Sequence, residues 1–497
     1  MNKNRFHIVG EILLNLYLIV LFMIVPLYIR NYNMLGVDKW KFFSYVSFGY
    51  SFNSIYIPGF LILIGLCLII EIIFFKYDVK FSKRDLCLLL YLIVAYISSE
   101  VAYLTYFVSD KSQVIIGTSG WYMGLAAQFS FILIYFYTKQ YWKNKKWFFN
   151  LILFSSSLVF ILGILNRFGV DLLGLFNNLS EEAKLRNIST MGNINWYACY
   201  LILIFPVSIY SYLYQEDKIK KILYALCFSI CLCSLVTQGS DSVFLALVFI
   251  AYILFINEEK SLELSIIGSF SLIILGIFQR IFSNVAYVPT TLSYICTLSM
   301  FPFVLLAVSI VLFKLKKVYK YSIKIVKILL PVLVLVTILY VTVNSLNLIP
   351  EAISFKSYLY FDDNWGNNRG VIWRMGITSF IEFVKDHLYV LFIGAGPEQF
   401  YNMVYHYNYY EFVEMGVGVT SMCAHNELLN TLFNYGALGL LSLYGFWLSI
   451  VLSKSNNTYD KMLKLMIVAY LINSIVSIQQ IEAAPLLFAC AGMFDNL

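Results

Sequence analysis

Apolar runs of about 20 residues, each long enough to cross a bilayer as an α-helix, recur along almost the whole chain and alternate with short polar stretches. They predict spans over residues 8–28, 58–75, 86–107, 114–137, 148–166, 194–214, 219–237, 242–256, 262–279, 291–313, 325–344, 428–452, 461–478 and 483–494. That makes about fourteen crossings. The strands of a membrane barrel would be shorter and would alternate apolar with polar residues, which these runs do not. The expected fold is all-α: a polytopic membrane protein with one membrane domain over 1–497.

One segment breaks the pattern. Residues 345–424 are too many for a connector, and too rich in apolar and aromatic side chains for disorder. They predict a long extracytoplasmic loop leading into the helix that starts near Leu428. Within it, 378–391 predicts an amphipathic helix. Phe380, Ile381, Phe383, Val384 and Leu388 share one face; Glu382, Lys385 and Asp386 share the other. This helix is expected on the membrane surface or against the helix ends. The tyrosines between Tyr401 and Tyr410 suit an interface, where the ring is buried and the hydroxyl stays wet.

Composition and charge sharpen this picture. With 60% hydrophobic and 13% charged residues, the chain is not a soluble globular protein. A net charge of +7 would suit nucleic acid, but the cations sit in loops between apolar runs. Lys76, Lys80, Lys83 and Arg84 form one group, and Lys139, Lys143, Lys145 and Lys146 a second. Lys218, Lys220 and Lys221 form a third; Lys314, Lys316, Lys317, Lys320 and Lys324 a fourth; Lys454, Lys461 and Lys464 a fifth. The predicted spans place all five on one face with both termini. Lysine bias marks that face as cytoplasmic, and no nucleic-acid partner is implied. The first run follows Lys3 and Arg5 as a signal peptide would. It is long and lacks a small-residue cleavage site, so it reads as a span. Most cysteines, such as Cys67, Cys227 and Cys231, fall within spans. Only Cys423 lies in a long exterior segment, so no exterior disulfide framework is expected.

Candidate chemistry collects near the end of the long loop. His425, one of four histidines, stands at a loop-to-helix junction beside Asn426. Imidazole can take a proton from a hydroxyl near neutral pH, and a neighbour can fix its tautomer; the same placement also suits a histidine that only caps the helix. The guanidinium groups of Arg369 and Arg374 suit a diphosphate through paired, charge-assisted bonds, and equally a lipid headgroup or Asp362 and Asp363. Asp362 and Asp363 are adjacent and point apart, so no metal pair is expected. Gly394 and Gly396 predict a turn back toward the helix ends, and Gly436 and Gly439 a close helix approach.

Together these residues form a recognisable order. Arg369-Gly-Val-Ile-Trp373, then Ile393-Gly-Ala-Gly396, then His425-Asn426 followed by nine residues and Gly436-Ala-Leu-Gly439 resembles the O-antigen ligase and polymerase family of bacterial membrane glycosyltransferases. The stretch Gly192-Asn193-Ile194-Asn195 is similar to that family's Gly-Asn-x-Asn segment, so the resemblance covers roughly the C-terminal two-thirds. It implies a C-type glycosyltransferase fold that moves glycan from an undecaprenyl-diphosphate carrier on the outer face of the cytoplasmic membrane. His425 falls at the family's proposed catalytic histidine and Arg369 at an arginine of its large exterior loop. Arg374 is expected as a second diphosphate-binding cation, with Asn426, Asn193 and Asn195 in support. One departure stands out: the family's Ser-Arg turn is here Gln238-Gly-Ser-Asp-Ser242, with Asp241 where arginine is expected. Arg374, Arg280 or Arg186 is the expected substitute.

The implied function is polymerisation of lipid-linked repeat units into surface polysaccharide, without metal or cofactor. A chain-length regulator and a flippase are the expected partner proteins. The alternative within the family is a ligase that hands the glycan to lipid A core or protein. The alternative from another class is a flippase or transporter, for which Glu11, Glu71 and Glu100 within or near spans speak. A Cys423 thiolate nucleophile ranks low, because an already activated donor gains little from a covalent intermediate.

Overall fold

The computed structural model describes residues 3–30, 35–52, 54–77, 79, 81–104, 108, 110–143, 145–350, 354–355, 358–414 and 422–496. Among these, nearly all regular structure is helical. The strands form two short antiparallel pairs, Gly49–Phe52 with Ile55–Pro58 and Asn187–Ile188 with Gly192–Asn193. Eight helices are long and apolar enough to cross a membrane: Arg5–Leu27, Lys83–Leu104, Trp147–Arg167, Ile194–Leu213, Lys218–Thr237, Ser261–Ile281, Lys316–Ser345 and Glu427–Leu452. A ninth results if Thr291–Thr297 and Phe301–Lys314, bent by 51°, count as one span. The chain is a helical membrane protein.

The remaining expected spans are helical but shorter: Phe60–Phe75, Leu125–Tyr141, Ser242–Asn257, Thr458–Asn473 and Ala484–Asn496. The physical reasons are local. Gly117 and Gly120, at φ 97° and 96°, turn the chain, so the run expected from residue 114 becomes a continuous helix only at Leu125. Residues 474–483, expected to be mostly membrane helix, instead form a short 3₁₀ turn and an irregular link, most of it buried inside the protein. Between the first two expected spans lies the helix Leu35–Phe48. From it, fully buried Lys39 donates to the carbonyls of Val25 (3.0 Å), Pro26 (3.0 Å) and Tyr28 (3.1 Å) at the end of the first span.

Contacts between loops sort the bundle into two ends. Lys143 and Lys145 pair with Glu11 (2.5 and 3.0 Å), and Lys139 with Asp85 (2.6 Å). Phe149 packs on Tyr459 (5.7 Å between ring centres), and Lys461 pairs with Glu258 (2.9 Å). Lys316 pairs with Glu259 (2.9 Å) and Lys221 with Glu263 (2.8 Å). The five basic loops therefore meet at one end. The opposite end carries the 110–123, 167–193, 238–241 and 285–290 connections and the long loop.

That long loop has a core of its own. Val371, Met375, Phe380, Phe383, Phe400, Met403 and Phe412 bury one another against Ala424 and Phe433. The amphipathic helix packs on the helix ends, one of the two placements expected for it. Its bounds differ, however: the helix is Trp365–Asp386, entered through the left-handed residues Gly366, Asn367 and Asn368. Leu388 lies beyond it and is 69% exposed; Ile381 is 47% exposed. The buried stripe is therefore narrower than the periodicity suggested.

Candidate functional site

The Glu427–Leu452 helix starts at Asn426, whose side-chain oxygen accepts from the Leu429 N–H (3.1 Å). His425 precedes it in a left-handed conformation (φ 49°), uncommon for a residue with a Cβ. Its ring meets Trp121 edge-on (6.4 Å), and Trp121 in turn meets Trp196 (6.1 Å). Trp121 is carried by the 117–124 turn, which Glu398 holds: the N–H groups of Thr118 and Met123 both donate to its carboxylate.

Glu398 is placed by a backbone crossing. Ala395 N–H donates to Phe433 O (2.8 Å) and Gly396 N–H to Asn434 O (2.9 Å). The Glu427–Leu452 helix breaks at Gly436 (φ 64°, ψ −171°) where the 392–394 backbone passes it. A Cβ on Gly394 would overlap the backbone of Asn434, and one on Gly436 the backbone of Phe392. Gly394 and Gly396, expected as a turn, and Gly436, expected at a close helix approach, thus meet at one crossing, while Gly439 lies against Tyr435 and Val94.

On the other side of His425, the Cys423 thiol is buried and pushed up to about 12, with the backbone at His425 and the Arg369 guanidinium acting against that rise. A thiol so raised is inert as a nucleophile. Burial lowers Arg369 from its usual range, with Cys423 and Tyr358 opposing. Tyr358 donates to Asp241 (2.6 Å), and that bond is the largest cause raising its phenol to about 12. Thr290 donates to the other Asp241 oxygen (2.6 Å). Next to Asp241, Ser240 donates to Asn195 (2.8 Å), while Asn193 accepts from the Asn195 N–H (2.8 Å) as cap of Ile194–Leu213. These groups form a circuit with Asn195, Ser240, Asp241 and Tyr358 on one arm and Cys423, His425, Trp121 and Trp196 on the other, the charge of Arg369 acting on Tyr358 and Cys423 between them.

Arg374 stands apart from this circuit. Asp363 accepts from it twice (2.9 and 2.8 Å) and Glu411 twice (3.2 and 2.5 Å), so its fork is taken up in tying two parts of the long loop together. The other two expected substitutes have partners as well: Arg186 pairs with Glu182 (2.6 Å) and Arg280 donates to Leu298 O (2.8 Å). The arginine at the Gln238–Asp241 turn is Arg167, which the sequence did not single out. It donates to Gln238 O (2.6 Å) from a neighbouring helix.

No family model, curated protein or solved structure matches this chain. The site is therefore read from its own residues.

Two buried acids complete it. Glu398 and Glu427 flank a cavity of about 30 Å³ with Trp121, Cys423 and Asn434, room for about one water. Burial raises the Glu398 carboxyl to about 7, its two backbone donors opposing. Glu427 accepts from Gln479 N–H (2.7 Å) and Thr431 (3.2 Å). Neither acid was signalled by the sequence, since neither has a charged partner nearby in the chain. Among the described residues, no cluster of three or more His, Cys, Asp or Glu could hold a metal. The three acids favouring a transporter all have partners: Glu11 with Lys143 and Lys145, Glu71 with His7 (3.4 Å), Glu100 with Lys111 (3.0 Å).

Proposed function

We propose that this protein is a membrane glycosyltransferase that polymerises undecaprenyl-diphosphate-linked oligosaccharide units into surface polysaccharide. It would act at the outer face of the bacterial cytoplasmic membrane, with the basic loops and both termini cytoplasmic. One observation carries the reading: the charge of Arg369 acts on Cys423, two residues before His425, whose ring meets Trp121, at the end of the bundle opposite the lysine loops. A proton acceptor and a cation on one circuit suit transfer from a lipid diphosphate.

In the reaction, the acceptor hydroxyl oxygen attacks the anomeric carbon and its proton passes to His425. The bond from that carbon to the diphosphate oxygen breaks, and Arg369 stabilises the charge gathering on the departing diphosphate. A single displacement inverts the anomeric centre. The leaving group is already good, so the paired carboxylates of a glycosidase are unnecessary. Trp121 and Trp196 present rings suited to a sugar face.

The test is reconstitution of the full chain in nanodiscs with lipid-linked repeat units. The glycan should lengthen, and His425→Ala, checked for equal melting, should stop it. Relocation without lengthening would identify a flippase, and transfer only to lipid A core or protein a ligase. Normal lengthening by His425→Ala would end the assignment.

A further inference from the structure

Arg167 ends the Trp147–Arg167 helix and is 6% exposed. One guanidinium nitrogen donates to Gln238 O (2.6 Å) and Leu185 O (3.2 Å), and Tyr287 lies under the guanidinium carbon at 5.3 Å. Its Nε–H is sealed from solvent without a partner. Ser293 Oγ and Gln279 Oε1 are likewise buried and unpartnered, and all three residues line one cavity of about 110 Å³. Water could satisfy the hydroxyl and the amide. A buried positive charge whose hydrogen bonds go only to carbonyls calls for an anion. Asp241, on the same turn, has both oxygens taken by Thr290 and Tyr358.

The same helices wall a second chamber. Val236 neighbours Thr237, Cys296 stands one turn from Ser293, and Leu272 two turns from Gln279; the first of each pair lines a space of about 530 Å³. Its walls include Phe228, Leu232, Phe244, Phe301 and Leu330. Val248, Phe301 and Val308 in its wall are exposed, so the chamber opens on the bundle surface, and apolar walls within membrane spans admit a lipid chain rather than water. The space is of a size to take a lipid chain. Polar cavity and apolar chamber therefore stack as head and tail.

We propose that the protein holds one single-chain lipid phosphate here, its head group on Arg167 and its chain in the chamber. The proposal deepens the glycosyl-transfer reading by giving a lipid-linked substrate a berth, and rests on that reading for the lipid's role only. The site lies across the Asp241 turn from Arg369, so a lipid seated there stands beside the circuit described above.

Native mass spectrometry of the full chain tests it without turnover, with geranylgeranyl monophosphate, geranylgeraniol and phosphatidylglycerol as probes. The monophosphate should bind at least tenfold more tightly than the other two. Arg167→Gln should remove that preference and leave the alcohol's binding unchanged. Ala251→Phe, which fills the chamber, should weaken monophosphate and alcohol alike. Equal binding of alcohol and monophosphate, equal binding of phosphatidylglycerol, or a change under twofold in Arg167→Gln would overturn the proposal. Should Arg167→Gln fail to fold, the wild-type preference and Ala251→Phe decide. Lipid binding without glycan lengthening would count against the glycosyl-transfer reading alone; lengthening without a phosphate preference would count against this one.

Discussion

The crossing of the 392–396 backbone with the broken helix at Asn434–Gly436 is where substitution should be most costly. Gly394 sits at φ 74°, ψ −173°, a region nearly closed to other residues, where a side chain costs about 1–3 kcal/mol in backbone strain. In Gly394→Ala the new methyl would also overlap the Asn434 carbonyl, so the two backbones must separate. That stretches the bonds from Ala395 N–H to Phe433 O and from Gly396 N–H to Asn434 O, each worth about 1 kcal/mol. The sum is about 3–5 kcal/mol. With unfolding entropy of about 2 cal/mol/K per residue over the 497-residue chain, the melting point should fall by about 3–5 °C. Two other glycines calibrate the measurement. Gly120 is at φ 96° with nothing within 4 Å of where a methyl would stand, so Gly120→Ala should show strain alone, about 1–3 °C. Gly445 lies in regular helix with only Cys87 nearby, at 3.9 Å, and Gly445→Ala should be neutral or stabilising by up to about 1 kcal/mol. The assay is thermal denaturation in one detergent, read by intrinsic tryptophan fluorescence. If Gly394→Ala melts within a degree of Gly445→Ala, the crossing does not hold the loop to the bundle.

Arg369→Lys should raise the KM for lipid-linked donor and lower kcat by roughly tenfold or more, as expected when a forked contact becomes a point charge; Arg374→Lys should leave the donor KM unchanged and lower the melting point through its weakened hold on Asp363 and Glu411. Cys423→Ala should keep most activity, because the buried thiol is raised to about 12; loss beyond tenfold at unchanged stability would reinstate a nucleophile. For Glu398, the folded pKa of about 7 exceeds the ordinary 4.5, so the native state binds the proton more tightly. Its contribution is fully present below about 4.5 and lost as pH rises through about 7, at most about 3 kcal/mol. The wild-type melting point should thus fall more between pH 5 and 8 than that of Glu398→Gln, and parallel profiles would refute the assignment.

Of the fourteen expected spans, eight, or nine with the bent pair, were legible because a bilayer imposes a length and a polarity that a window of sequence reveals. The junction at His425 and Asn426 was legible too, since a polar cap followed by an apolar run marks a helix start. What escaped were ionisable groups whose partners are main chain. Lys39 is held by three carbonyls, Arg167 by two, and Glu398 by two N–H groups; backbone atoms carry no residue signature. Arg374 erred in the other direction. The sequence displays its charge and that of Asp363, but only the fold brings Glu411 to close the remaining side of the fork. Leu388 was misplaced for a third reason: helical periodicity was carried past Asp386, where the helix stops.

The same distinction explains how an aspartate can stand where the resembled family has an arginine. Asp241 is not an unpaired anion facing a diphosphate, since Thr290 and Tyr358 each give it a hydroxyl proton at 2.6 Å. Those two bonds tie the turn to the 285–290 connection and to the long loop. The cation at this turn comes instead from Arg167, which reaches Gln238 O from below and leaves its Nε toward a polar cavity. A turn can thus exchange its own cation for a tethering carboxylate when a neighbouring helix end supplies the positive charge. Asp241→Asn should then preserve the Thr290 and Tyr358 contacts in part and change little, whereas Asp241→Arg would set a second guanidinium beside Arg167 and lower stability; a stable, more active Asp241→Arg variant would show that the turn, not Arg167, is the place for the charge.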